Sequence, residues 1–377
     1  MKKKVPFREH HLFQILELFE SQHLPLDVFL SSYFRSHKAI GAKDRKFIAE
    51  TVYSLIRWRG LLDYLCHSPL TWETRYKKFF SIKMDDWQND SKIPSHIRAS
   101  FPKALFQLLS HSYGEEKALE LCFISNTQAP VTLRVNTLKI TREELIEKWK
   151  NTYHFFPCKH SAVGLHFNEK INFFSLNEFK AGFFEIQDEG SQLVAELVDV
   201  SSGDQVLDFC CGSGGKTLAF APRMKNSGQI YLHDIRSHVL LEAKKRLKRA
   251  GIQNAQILQF NDPKKNFLQQ KMDWVLVDVP CSGSGTWRRN PDMKWRFDMA
   301  LFERLVPEQR QIVKAAFPFL RPKGKIVYAT CSLFPQENEE QVKWVQETFP
   351  LTLLKTFSCL PEKGGKDGFF AAVFQRI

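Results

Sequence analysis

The chain has no run of about 18 uninterrupted apolar residues, which excludes a membrane-spanning helix and leaves no membrane among its expected partners. Its 18 glycines and 17 prolines are too few for a collagen-like repeat, and no internal repeat or low-complexity tract interrupts it. The eight cysteines, at positions 66, 122, 158, 210, 211, 281, 331 and 359, form no Cys-x-x-Cys pair. No histidine cluster stands near them at ligand spacing, so no metal site is expected. After Met1-Lys2-Lys3-Lys4, residues Arg8, Glu9, His10 and Glu17 break up any apolar stretch of a secretory signal. The expectation is a cytoplasmic protein without a disulfide framework, its cysteines mostly small buried residues apart from two considered below.

What is present is an ordinary globular balance: 377 residues, 43% hydrophobic and 25% charged, enough for two or three domains. Charge is less ordinary. Fifty-four Lys and Arg against 41 Asp and Glu give +13, and the 19 basic and 14 acidic residues of positions 1–120 leave +8 for the rest. The excess is spread along the chain. A solvated basic surface and a nucleic-acid partner both account for it, and the second is the sharper reading.

Residues 7–66 read as helices: Ile48, Val52, Leu55 and Ile56 recur at helical spacing, with Asp44 as the expected N-cap. A polar, irregular patch at Met84–Pro94 precedes further helical pattern from Pro102 to Ser125. This predicts an all-α unit over 1–125. The alternation Val131, Leu133, Val135 predicts a strand, and a helix-like Arg142–Trp149 with further short strands predicts a small α+β unit over 126–184. From 185 to 377, short apolar runs at 206–209, 229–232, 274–277 and 325–328 alternate with helical stretches. That pattern predicts α/β, a Rossmann-like, doubly wound parallel sheet.

The first of these runs leads into Asp208-Phe209-Cys210-Cys211-Gly212-Ser213-Gly214-Gly215-Lys216-Thr217. Glycines there let backbone approach a ligand and expose N–H groups, although such turns also serve only to pack strand against helix. The loop is not a Walker A motif, which would need glycine where Cys210 stands. Asp234 stands at the end of the run at 229–232, placed to accept ribose hydroxyls; Asp262 follows what would be a further strand and could hold an adenine amino group; Asp278 closes the run at 274–277. Each alone could be a loop or capping residue. Together with the glycines they point to a nucleoside cofactor.

The run at 274–277 continues into Pro280-Cys281-Ser282-Gly283-Ser284-Gly285, the run at 325–328 into Thr330-Cys331-Ser332. Adjacent strands would bring Cys281 and Cys331 to one rim of the sheet. Two buried thiols are one reading, but polar Gly/Ser-rich loops offer a packing cysteine little to pack into. A thiolate among Arg and Lys side chains is instead a nucleophile.

Several stretches resemble the RNA cytosine-5 methyltransferases of the Sun/Fmu (Nop2/Sun) family: Cys210–Thr217; Asp278–Ser282 with its continuation to Trp295; Ala329–Ser332 followed by Glu337-Asn338-Glu339; Leu133–Asn136; Gln187–Ser191; and Asp367–Phe370. The likeness covers about residues 126–377. Residues 7–66 resemble more loosely the NusB-like RNA-binding domain of bacterial ribosomal-RNA members, around Asp44–Phe47 and Leu55–Arg57. Cys211-Gly212-Ser213 stands where the family usually has small-small-Pro, and Val279 where it has Ala.

The resemblance implies S-adenosylmethionine as cofactor, held by Cys210, Cys211, Gly212, Ser213, Gly214, Gly215, Lys216, Asp234, Asp262 and Asp278. It implies Cys331 as the nucleophile at cytosine C6, Cys281 as the residue that assists adduct release, and Asp278 as a contact to the cytosine edge. The implied partner is RNA, ribosomal in preference to transfer RNA, bound by a monomer with no obligate protein partner. The base must leave any stack to be reached. An amino-directed methyltransferase would carry an Asn/Asp-Pro-Pro-Tyr/Phe turn, where this chain has Pro280-Cys281. A non-catalytic RNA-binding factor would have no need of both cysteines and all three acids.

Overall fold

The computed structural model describes residues 5–66, 68–169, 171–259 and 264–377. It divides into two compact units, Met1–Gln128 with Thr286–Asp298, and Ala129–Gly285 with Met299–Ile377.

The first unit is helical. Its core gathers Leu12, Ile15 and Leu16 from helix Phe7–Glu20, Leu26 and Leu30 from Leu26–Ser36, and Ile48, Val52, Leu55 and Ile56 from Ala42–Arg57. That last helix begins two residues before Asp44: Gly41 is the cap position and Asp44 sits in the first turn, where a carboxylate favours the helix dipole without capping it. The patch expected to be irregular contains a short helix, Met84–Gln88. Segment Thr286–Asp298 is built into this unit although it follows a strand of the other. Trp295 Nε1 donates to Ile56 O at 2.7 Å, Arg57 Nη2 to Arg288 O at 3.0 Å, and Lys294 Nζ to Arg57 O and Asn126 Oδ1 at 2.8 and 2.7 Å. Burial pushes the Lys294 pKa well below the ordinary ammonium value.

The second unit holds two sheets. A small antiparallel one has the order β2-β3-β1-β4, with β1 Val131–Val135, β2 Phe156–Pro157, β3 Gly164–Phe167 and β4 Phe184–Ile186. Leu133, Val135, Leu165, Phe167 and Phe184 form its apolar face, covered by Leu145 and Trp149 of helix Arg142–Trp149. The large sheet contains β5 Gln205–Asp208, β6 Gln229–His233, β7 Ala255–Leu258, β8 Met272–Asp278, β9 Leu320–Thr330, β10 Leu351–Cys359 and β11 Phe369–Arg376. Its order is β10-β11-β9-β8-β5-β6-β7.

Side chains alternate across it as the pleat requires. Val206, Leu232, Leu276 and Val327 meet helices Glu189–Glu196 and Ser237–Ala250 on one face; Leu207, Val275, Val277 and Ile326 meet Met299–Ala316 and Glu339–Thr348 on the other. The unit is thus a Rossmann-like doubly wound α/β domain. One difference from the sequence expectation is that only β5 to β9 are parallel; β11 runs antiparallel to β9, and β10 to β11. Between Cys359 and Phe369 there is a loop and no crossover helix, so the pair can only close as a hairpin. Among the described residues no helix is long and apolar enough to cross a membrane.

Candidate active site

Strands β5 and β8 are parallel neighbours, yet the chain proceeds outward from β5 through β6 and β7 and, on the other side, from β8 to β9. Loops leaving their C-terminal ends therefore part and open a crevice, where sheets of this topology take ligands. Register levels that rim: Asp208 lies beside Leu232 and Leu276, and Asp278 beside Ala329.

The loop after β5 turns through Gly212 and Gly214, whose φ angles of +53° and +77° suit glycine. Its outer side is open. A Cβ on Gly212 would meet nothing nearer than Arg236 Nη2 at 4.0 Å, and one on Gly215 would stop 3.7 Å from Gln187 Nε2. Asp234, just past β6, is buried and accepts from Gly212 N–H at 2.9 Å and from Arg236 N–H, Nε and Nη2 at 2.9, 2.9 and 3.0 Å. Burial pushes its pKa up, but these hydrogen bonds outweigh it and hold the carboxyl below its ordinary value. With four donors its lone pairs are filled. Ribose hydroxyls would reach it by displacing the Arg236 side chain, which is 57% exposed. Asp262 lies outside the described residues.

Lys216 ends the loop, buried, with Nζ donating to Asp278 Oδ2 at 2.5 Å. Burial lowers its pKa, while the charge and hydrogen bond of Asp278 and the charge of Cys331 raise it, leaving it above the ordinary value. At the foot of the loop Asp208 Oδ2 accepts from Thr217 Oγ1 at 2.6 Å, whereas its Oδ1 has no partner among the described residues. Burial pushes that carboxyl up to about 7. Burial likewise raises Cys210 and Cys211, which keeps both as thiols.

Cys281 and Cys331 come together, Sγ to Sγ at 3.5 Å, each partly exposed. The pKa of Cys281 is pushed well above the ordinary thiol value, first by its hydrogen bond to Cys331 and then by burial. Such a pair gives up its first proton as a unit. Cys331 is the sulfur whose charge acts on the Lys216 ammonium. Of the other cysteines, Cys122, Cys158 and Cys211 are buried as expected, but Cys66, Cys210 and Cys359 are only partly so. They lie on helix ends, loops and an edge strand, where cover is incomplete.

Sequence reasoning gave no role to Arg134, Gln187, Asp208, Arg236 or Glu337. Arg134 Nη1 and Gln187 Nε2 both donate to Gly215 O, at 2.9 and 3.1 Å, and Arg134 also donates to Gln187 Oε1. Their signal was membership in the stretches Leu133–Asn136 and Gln187–Ser191. Asp188 Oδ1 accepts from Gly190 N–H and Asp367 N–H at 2.8 and 3.0 Å, which joins Gln187–Ser191 to Asp367–Phe370.

Comparison with known proteins agrees with this arrangement. Residues 195–375 match the family model of 16S rRNA methyltransferase RsmB/F, and residues 101–173 that of the RsmF/B-like ferredoxin-like domain. A probable ribosomal RNA small subunit methyltransferase B from Synechocystis is 30% identical over 305 residues, 75% of this chain and 68% of that protein. The chain belongs to the RsmB/F methyltransferase family. The RsmB/F relative from Vibrio cholerae, ribosomal RNA small subunit methyltransferase B, is 31% identical over 76% of this chain and 68% of its own length. Among solved structures, a methyltransferase homolog protein from Pyrococcus horikoshii covers 77% of this chain and 100% of its own at 26% identity and a TM-score of 0.67. The crystal structure of PH0851 shares the fold over 100% of both chains, with a TM-score of 0.81 at 22% identity.

RsmB/F enzymes use S-adenosylmethionine. The residues present suit it. Open space lies over Gly212 and Gly215, an anionic Asp234 waits at the end of β6, and the orphaned Oδ1 of Asp208 lies below the loop. Gly212 to Lys216, Asp234 and Asp278 would hold the cofactor.

Proposed function

We propose that this chain methylates C5 of a cytosine in RNA, with small-subunit ribosomal RNA as substrate, through a covalent bond between Cys331 and cytosine C6. The substrate class follows the relatives named for ribosomal RNA and the net charge of +13. The observation that carries the chemistry is the 3.5 Å approach of two cysteine sulfurs beside a lysine–aspartate pair.

Cytosine C5 is a poor nucleophile because the ring is electron-poor. Cys331 thiolate adds to C6, which places an electron pair on C5 in enamine form. S-adenosylmethionine, when bound, supplies an electrophilic sulfonium methyl. Lys216 favours the Cys331 thiolate by its charge, and Asp278 accepts from the exocyclic amine, the donor a carboxylate reads on cytosine. Cys281 assists loss of the C5 proton, after which the C6–S bond breaks and Cys331 leaves as thiolate. The helical unit and the small α+β unit are assigned to RNA binding, by the NusB-like pattern of the one and the place of the other beside the cofactor loop.

The test is a pair of variants on RNA with and without 5-fluorocytosine. Cys331→Ala forms no covalent complex on either RNA. Cys281→Ala accumulates on ordinary RNA, with S-adenosylmethionine, a protein–RNA species stable to denaturing electrophoresis. An adduct in Cys331→Ala and none in Cys281→Ala would reverse the assignment.

A further inference from the structure

Glu337 has no role in the chemistry above. It ends the short turn Pro335–Glu337 with 0% of its surface exposed, a poor place for a carboxylate unless its lone pairs are met. They are met. Oε1 accepts from Ser282 N–H and Gln309 Nε2, both at 2.9 Å; Oε2 accepts from Ser282 Oγ and Ser332 Oγ, both at 2.5 Å. Ser282 follows Cys281, and Ser332 follows Cys331. One carboxylate therefore ties together two loops that leave different strands.

The surroundings leave this knot little freedom. Ser284 Oγ sits 3.1 and 3.3 Å from the Ser282 and Ser332 hydroxyls and accepts Leu333 N–H at 2.6 Å. Tyr328 OH donates to Glu337 O at 2.7 Å, and Gln309 also donates to Pro280 O at 3.0 Å. Asn338 holds Thr330 Oγ1 and Ser332 O from the other side, at 2.6 and 2.9 Å. Four converging donors require two acceptor oxygens. An amide in the same place offers one, and turns its own N–H toward another donor.

We propose that Glu337 is a positioning residue that locks the Cys281 and Cys331 loops into the arrangement where their sulfurs meet at 3.5 Å. This rests on the reading of both sulfurs as the working thiols. Glu337 touches neither of them with a hydrogen bond; it acts through the two serines. Its negative charge also faces Cys281 and helps keep that thiol protonated. Replacing the carboxylate thus loosens both loops and changes the ionisation of one sulfur, a combination that loss of packing alone does not produce.

The experiment uses full-length Glu337→Gln, with Ser332→Ala as a milder cut of the same knot and Cys331→Ala alongside. Three readouts are taken. These are kcat and KM on transcribed small-subunit rRNA, calorimetric affinity for S-adenosylhomocysteine, and the pH profile of iodoacetamide alkylation at each cysteine by peptide mass spectrometry. In Glu337→Gln we expect kcat to fall on the order of 100-fold, the cost of a misplaced reacting group, with KM and S-adenosylhomocysteine affinity unchanged. Alkylation of Cys281 should move to lower pH. Ser332→Ala should lose about 10-fold in kcat, the equivalent of one hydrogen bond, and decides the question if Glu337→Gln does not fold. Unchanged kcat in Ser332→Ala, or an unmoved Cys281 profile in a folded Glu337→Gln, overturns the proposal. Methyl transfer retained by Cys331→Ala overturns the reading of the thiols instead, so the two failures are told apart.

Discussion

Asp208 gives the protein a pH dependence that can be worked from its surroundings. Its carboxyl is fully enclosed, takes one hydrogen bond from Thr217, and faces Asp278 and Asp234 as well as the Lys216 ammonium. Burial dominates and the pKa stands at about 7, against 3.8 for the free side chain. Between those values the folded chain holds a proton that the unfolded chain has released. Unfolding is therefore increasingly favoured as pH rises, at about 1.4 kcal/mol per unit, and the effect stops above the folded pKa. Over the full interval this one group costs on the order of 4 kcal/mol of stability. Asp208→Asn keeps an acceptor for Thr217 and cannot ionise. Urea unfolding of both proteins at about pH 4.5, about pH 6 and about pH 8, the first two between the unfolded and folded pKa values and the last above them, should show the variant gaining on the parent as pH rises. Parallel curves for the two proteins would refute the reasoning, since they would mean that Asp208 is ionised in the fold.

Other perturbations follow from the same rim and from the helical unit. Arg236→Ala should bind S-adenosylhomocysteine up to about 5-fold more tightly, because an exposed ion pair worth about 1 kcal/mol no longer competes for Asp234; weaker binding by calorimetry would contradict this. Lys216→Met leaves Asp278 without its partner and withdraws the ammonium from Cys331, so iodoacetamide should label Cys331 more slowly at neutral pH, with a loss of about 1–3 kcal/mol in urea unfolding. Trp287, 1% exposed, packs edge-on against Phe101; Trp287→Ala should cost about 3–5 kcal/mol in the helical unit. Hydrogen exchange of the helix Lys103–Tyr113 amides, compared between parent and variant, checks that loss.

Where signals are local, the fold was legible. The alternation Val131, Leu133, Val135 marks β1 to the residue, and the helix-like pattern of Arg142–Trp149 marks its helix. The hydrophobic runs of the large sheet revealed its parallel part because those strands are buried on both faces. Strand β10 was not read, since at the sheet edge its exposed Leu354, Lys355 and Thr356 blur any pattern. The rim of the site was legible because its residues stand at strand ends, where sequence order and register coincide. Arg236 over Asp234, and Glu337 between Ser282 and Ser332, were not. Both depend on which lone pairs remain free after folding, and spacing along the chain carries no trace of that.

Segment Thr286–Asp298 has a consequence for dissection of the gene. Trp287, Lys294 and Trp295 belong to the helical unit, yet they are encoded far downstream of its helices. A stop codon after residue 128 would not liberate a self-sufficient helical module. It would yield a bundle with a slot where two indoles and a buried amine belong. Deleting everything before residue 129 would in turn strand those same side chains in water. Either fragment, assayed alone, would report its own instability instead of the contribution of the missing half. The two units are interleaved in the reading frame, and mutations that preserve both are the clean way to apportion their work.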